Sequence, residues 1–294
     1  MYELIQVGEN TYYVNCPSRM GIYRFDGARV CLIDSGNDKD AGKKVYKILS
    51  ERGWTLDCII NTHSHADHIG GNALLHQRTG CWIYAPGIDA VFAQNTILEP
   101  SFIFGGYPPK LLRNKFLLAQ PSPALPLTPD CLPHGLEMLP VDGHSFSMIA
   151  LKTPDDIWFV ADSLSSEAVL KKYPVTFLYD VAGFVDSLER LRSIKGRLFI
   201  PSHAEPVENL GPLISRNLER VEEICTLLIE ICDTPVAFDE LLGQVFDHYG
   251  MTMNDNQYVL VGSTIRSYLS YLCDRGDLEM LYDRNRMFWR AAQS

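Results

Sequence analysis

The chain has 294 residues, 46% of them hydrophobic and 21% charged, the composition of an ordinary globular protein with a sizeable core and length for one large domain plus a small one. Its formal net charge of −10 argues against a surface built to collect phosphate backbones. The start lacks a basic region followed by a long apolar run, and no stretch reaches membrane-span length, so a cytoplasmic protein without a membrane partner is expected.

Three extended runs, at 11–14, 21–25 and 29–33, are rich in β-branched and aromatic residues, and Asp26-Gly27 marks a hairpin turn between the last two. The third run ends in Asp34-Ser35-Gly36, where a carboxylate leaves a buried strand. Residues 39–52 have helical spacing, with Ala41, Val45, Ile48 and Leu49 on one face, and stop before Gly53. An apolar run at 57–60, a helix near 71–77 and a strand at 81–85 follow, which predicts a layered α/β core. Residues 86–133 break the rhythm with many prolines and with Phe92, Phe102, Phe104, Tyr107 and Phe116. A long irregular aromatic segment of this kind reads as a lid-like insert or pocket wall. Extended runs resume at 138–141, 146–151 and 157–161, then helices near 165–172 and 182–193 and a strand at 197–200.

The texture changes beyond Gly211. Three helical stretches (213–232, 238–249, 258–275) and a terminal hairpin (278–289) predict a small winged-helix-like domain over 211–294, behind a catalytic domain over 1–210. From Ser215 onward there are seven Arg, no Lys and thirteen acidic residues, a net −6. So acidic a wing is unsuited to phosphate neutralisation, which makes packing or homodimer formation the expected role and nucleic acid an unexpected partner. The eight cysteines are scattered without a CxxC pair and read as reduced, packed thiols.

The densest chemistry lies in Asn61-Thr62-His63-Ser64-His65-Ala66-Asp67-His68-Ile69-Gly70-Gly71. At this composition a random chain carries His-x-His-x-acid-His on the order of once per thousand sequences. Neutral imidazoles and carboxylates are the usual ligands of zinc and its neighbours. Three further groups follow apolar runs: His144 after 139–141, Asp162 after 158–161, and His203 after 198–202. Each alone is weak, since histidine has many other uses. Together with His63, His65, Asp67 and His68 they make seven candidate ligands at one edge of the predicted sheet, and only His76, His134 and His248 stay outside.

T-H-x-H-x-D-H with G-G after it, then G-H, A-D-S and P-S-H in that order, resembles the metallo-β-lactamase superfamily over about residues 5–210. The resemblance implies an αββα sandwich with a two-metal site at one edge. It implies that His63, His65 and His144 hold one metal, that Asp67, His68 and His203 hold the second, and that Asp162 bridges, with Asp67 and Asp162 taking part in catalysis. Asp34 would then orient a ligating imidazole from behind. Two divalent ions, zinc foremost with iron or manganese as alternatives, can share a hydroxide of lowered pKa, so hydrolysis needs no serine or cysteine nucleophile.

Departures narrow the substrate. Asp162 is followed by Ser163-Leu164-Ser165-Ser166, where glyoxalase II-like thioesterases carry a Cys-Gly-Arg type stretch and acyl-homoserine lactonases a tyrosine. The expected substrate is a small acyl compound: an ester, thioester or lactone. The alternatives are a phosphodiesterase or ribonuclease of the same fold, and a non-catalytic regulator that senses a metal or ligand.

Overall fold

The computed structural model describes residues 2–292. Seven strands, β1 (Glu3–Gln6), β2 (Thr11–Asn15), β3 (Met20–Asp26), β4 (Arg29–Ile33), β5 (Thr55–Ile60), β6 (Trp82–Ala85) and β7 (Leu125–Pro126), pair in chain order. They run antiparallel through β4 and parallel from β4 to β7, where helical crossovers intervene. A second sheet has the order β11-β10-β9-β8, from β8 (Glu137–Pro140), β9 (Ile149–Thr153), β10 (Ile157–Ser165) and β11 (Leu198–His203).

The layering follows from alternation. On β4, Cys31 and Ile33 join Phe159, Leu151 and Ile200 of the second sheet in one core. Val30 and Leu32 point the other way, onto Val45 and Leu49 of α1 (Lys39–Glu51) and Leu75 of α3 (Asn72–Thr79). On β10, Ile157 and Phe159 face the first sheet, while Trp158 and Val160 face α7 (Val181–Ser193) through Leu188 and Leu191. Helix, sheet, sheet, helix is therefore the order of layers, the expected αββα sandwich, and it arises because both sheets are apolar on both faces.

Three helices, α8 (Gly211–Ile231), α9 (Phe238–His248) and α10 (Asp255–Arg275), and an antiparallel hairpin, β12 (Leu278–Asp283) with β13 (Arg286–Ala291), complete the chain. Their apolar faces share a single core with the outer face of the second sheet, running from Val141 and Val160 to Leu269 and Trp289. Among the described residues no helix is long and apolar enough to cross a membrane.

Three details differ from the sequence reading. The edge strand β1 had no legible alternation, since only its central residues are half-buried. The 86–133 insert is more regular than its prolines imply, holding α4 (Asp89–Gln94), α5 (Leu98–Phe104), two 3-10 turns and β7. Its helices are too short to show a period. The extended run expected at 146–151 begins only at Ile149, because the backbone N–H of Ser147 donates to the Asp89 carboxylate instead of entering the ladder.

Candidate metal centre

Strands β4, β5 and β6 all end at the same edge, and the loops leaving them carry Asp34, the 61–68 stretch and Asp89. His65 ends the loop after β5, and α2 (Ala66–Ile69) carries Asp67 and His68. From the second sheet come His144, in the β8–β9 connection, Asp162 on β10 and His203 at the end of β11. All seven sequence-predicted ligands meet here. His63 Nε2 lies 3.1 Å from His65 Nδ1, which lies 2.9 Å from His144 Nε2. Asp67 Oδ2 is 3.6 Å from His68 Nε2 and 3.4 Å from His203 Nε2. Asp162 stands between the groups, with Oδ1 3.2 Å from His68 Nε2 and Oδ2 3.1 Å from His203 Nε2 and 3.4 Å from His144 Nε2.

Hydrogen bonds behind the imidazoles decide which nitrogens face inward. Asp34 is 2% exposed and accepts from Thr62 N, from Thr62 Oγ1 and from His68 Nδ1, each at 2.8 Å. His68 Nε2 is thereby the nitrogen turned toward the cluster; burial works against charge on this ring, but Asp162, Asp67 and Asp34 outweigh it and raise its pKa well above the ordinary value. The Thr62 hydroxyl spends its proton on Asp34, so at 3.1 Å it accepts from His63 Nδ1, which turns the His63 Nε2 lone pair inward too. His144 Nδ1 donates to Phe177 O at 3.0 Å, with the same result. Ser18 Oγ donates to Asp67 Oδ2 at 2.7 Å.

Two backbone distortions aim these groups. Asp34 has φ 60° and Ala161 φ 51°, in the left-handed region that non-glycine residues avoid. The Ala161 distortion coincides with a register shift between β10 and β11, a bulge that re-aims the next side chain, Asp162. Gly143, at φ 114°, passes so near α7 that a Cβ there would sit 2.2 Å from Phe184 N, which accounts for the glycine before His144.

The electrostatics suit cations. Burial, reinforced by neighbouring imidazoles, pushes the His63 and His65 pKa values down, His65 to about 3, and burial lowers His144 as well. These rings are neutral at ordinary pH, the form in which imidazole can ligate a metal. Burial also works against charge on His203, but Asp162 and Asp67 outweigh it and raise the ring to about 10. Burial raises Asp162 and Asp67, yet the pull of His203 and His68 holds both far below the usual carboxylate range. The carboxylates thus demand positive charge at this point. His68 Nε2 and Asp162 Oδ1, both buried, have no hydrogen-bond partner, and three overlapping groups of His and Asp ligand atoms each lie within 4.8 Å of one another. Buried polar atoms left in this way fit metal ligation.

Sequence reasoning missed several contributors. Asp89, fully buried, accepts from Ser64 N, Ser64 Oγ and Ser145 Oγ on one oxygen and from Ser147 N on the other. Burial pushes its carboxyl up, and these hydrogen bonds partly offset the push. Glu99 of α5 lines the same cavity, where burial, then repulsion from Asp67 and Asp89, raises its carboxyl well above the usual range. The remaining histidines lie elsewhere: His76 bonds Cys81 O, His134 accepts from Tyr23 through its carbonyl, and His248 meets Tyr249 edge-on.

A two-sheet α/β sandwich with a His and Asp cluster at its common edge defines a class of metal-binding proteins. A family model described as the metallo-beta-lactamase superfamily matches residues 14–203. The chain belongs to that superfamily.

The fold is similar to a beta-lactamase domain protein from Burkholderia ambifaria, with a TM-score of 0.73 and 14% identity over 99% of this chain and 94% of that one. It is also similar to a metallo-beta-lactamase family protein from Thermus thermophilus, with a TM-score of 0.72 and 15% identity over 99% and 98%. Both likenesses run through the C-terminal helices. A metallo-beta-lactamase from Pontibacter korlensis covers 76% of this chain at a TM-score of 0.57. Curated relatives match short stretches. Hydroxyacylglutathione hydrolases from Rhodopseudomonas palustris (strain BisB18) and Methylococcus capsulatus are 47% and 43% identical over 49 and 53 residues, or 17% and 15% of this chain. The match spans about a fifth of the length of these relatives, 19% and 21%.

Proposed function

We propose that the chain is a metal-dependent hydrolase that adds water across the acyl C–O or C–S bond of a small ester, thioester or lactone, releasing a carboxylic acid and an alcohol or thiol. The carrying observation is the convergence of seven His and Asp side chains in which His68 Nε2 and Asp162 Oδ1, 3.2 Å apart, are buried without a hydrogen bond. Membership of the superfamily and the short matches to hydroxyacylglutathione hydrolases support the same reading. His63, His65 and His144 would hold one divalent ion and Asp67, His68 and His203 a second, with Asp162 within reach of both groups; zinc suits this donor set. Ions held there would polarise the carbonyl oxygen and lower the pKa of water toward neutrality.

The protein's own part is orientation. Asp34, through Thr62 and directly, turns Nε2 of His63 and of His68 toward the cluster, and Phe177 O does so for His144. Three of the nearby hydroxyls are engaged elsewhere: Ser64 and Ser145 donate to Asp89, and Ser163 to Val160 O. Burial raises the neighbouring Cys16 thiol to about 11. None of these is an activated nucleophile, which supports water as the attacking species. The eight cysteines are free and mostly buried, which supports a reducing compartment such as the cytoplasm.

The test is metal content by mass spectrometry on protein purified without chelator, joined to turnover of aryl ester, thioester, lactone and bis-aryl phosphodiester probes. The expected result is about two ions per chain. Acyl turnover should collapse in Asp162→Ala and His203→Ala. A folded protein without bound metal, or activity indifferent to both substitutions, overturns the reading; phosphodiester turnover alone transfers it to that bond.

A further inference from the structure

The ligand cluster opens into a cavity of about 540 Å³, a size that encloses a small organic molecule. Its walls come from three stretches far apart in sequence. The insert supplies Phe102 and Phe116, the segment before α7 supplies Phe177 and Tyr179, and α10 supplies Leu260 and Val261.

The insert and α10 are joined above the metal centre. Ile103, Leu112 and Leu117 pack with Val259, Phe177 and Leu260 in a small core of their own. Asn114 Nδ2 donates to Asn256 Oδ1 at 3.0 Å across the same seam. Behind the wall, α10 holds the loop that orients His144: Thr264 Oγ1 accepts from Leu178 N, and Ser267 Oγ donates to Tyr179 O. The C-terminal segment therefore does more than pack; it closes the cavity that the ligand cluster floors.

The lining is mainly apolar and aromatic. Phe146 meets Phe102 edge-on at 5.1 Å and Tyr179 in a tilted contact at 4.1 Å between ring centres. Phe116 stands at the rim, 67% exposed. Among the described residues Lys115 is the one Lys or Arg in the lining, and its Nζ lies 3.5 Å from Asp38 Oδ2, at the solvent edge. The carboxylates of a glutathione leaving group would meet no Lys or Arg deeper in the cavity.

Resting on the hydrolase reading, we infer that the substrate's acyl group is apolar, an alkyl chain or aryl ring, held between the insert and α10, so that the C-terminal segment sets substrate choice. Burying each added methylene is expected to raise kcat/KM about threefold to fourfold until the cavity is filled.

The test uses the full-length, metal-loaded protein with acetyl, butanoyl, hexanoyl and octanoyl esters and thioesters of one leaving group. Calorimetry with octanamide, an uncharged probe that is not turned over, runs beside it. The expected result is a kcat/KM that climbs to at least hexanoyl, and octanamide binding with a negative heat-capacity change. Leu260→Trp should lower the octanoyl-to-acetyl ratio of kcat/KM by about tenfold or more, from the methylenes it excludes. Phe116→Asp, at an exposed rim position that leaves the core intact, should lower the same ratio. Turnover with no dependence on chain length, or ratios unchanged in both variants, overturns the inference and leaves the hydrolase reading standing. Absence of turnover on every acyl probe overturns the hydrolase reading instead; octanamide binding that is lost in Leu260→Trp then still supports an apolar pocket, and no octanamide binding overturns it.

Discussion

Asp89 Oδ1 accepts from both the backbone N–H and the hydroxyl of Ser64, at 2.9 and 2.7 Å, and Ser64 sits between His63 and His65. The same carboxylate reaches Ser145 and Ser147, just after His144 in the β8–β9 connection. One buried side chain of the insert thus locks two ligand-bearing loops together. Asp89→Ala leaves two buried N–H donors unpaired, at about 1–3 kcal/mol each. Asp89→Asn keeps the shape but turns amide donors onto donors. Both variants should bind metal about 10–100-fold more weakly, as for other residues that hold ligands from behind. Competition with a chelator measures this, and an affinity equal to wild type in both would show that the loops hold themselves.

Asp34 offers a sharper test because its backbone and side-chain roles separate. Asn tolerates the left-handed φ of 60° but brings a single acceptor oxygen to the three donors now served. Ala loses the acceptors and adds backbone strain. Both should reduce kcat/KM by about 10–100-fold through misoriented His63 and His68. In urea unfolding, Asp34→Ala should be less stable than Asp34→Asn by about 1–2 kcal/mol. Equal stabilities would mean that the turn relaxes to accept alanine.

The ligand set was legible because its chemistry is concentrated. Four members lie within six residues, and His144, Asp162 and His203 each follow an apolar run that reads as a strand. Asp89 obeys the same rule, coming just after β6, yet a lone carboxylate in a proline-rich stretch carries no composition signal to separate it from a turn residue. The layers were legible from β-branched runs alternating with helical spacing. The role of α10 was not, since Leu260 and Val261 occupy apolar helical positions that look the same whether they fill a core or line a cavity.

The glycine pair after the histidines also acquires a physical reason. A Cβ on Gly70 would lie 2.4 Å from the carbonyl carbon of Asn37, and one on Gly71 2.4 Å from Ser35 O. Both contacts are with backbone of the loop that follows Asp34, so neither can move aside without shifting that carboxylate. Gly71→Ala should destabilise the fold by about 1–3 kcal/mol or more. Gly243 in α9 has open space around it, and Gly243→Ala should stabilise by about 0.5–1 kcal/mol. Denaturant midpoints for the two variants should move in opposite directions; a shared direction would place the effect in the unfolded chain.

The thiols provide a probe of the whole core. Cys131 and Cys273 are partly exposed and the other six are buried, so alkylation by iodoacetamide at mildly alkaline pH should mark the first two, and all eight only after unfolding. Burial raises Cys81 to about 11 and Cys225 and Cys232 to about 12, from an ordinary 9. An acid whose folded pKa is raised keeps its proton while the unfolded chain releases it, so the unfolded state binds fewer protons over that window. Stability should therefore hold up to about pH 9 and fall as pH climbs toward 11–12. Urea midpoints across this range should decline, and the decline should be shallower in Cys232→Ala, which removes one of the titrating groups. Rapid labelling of Cys232 in the folded protein would contradict the closed core that joins the second sheet to the C-terminal helices.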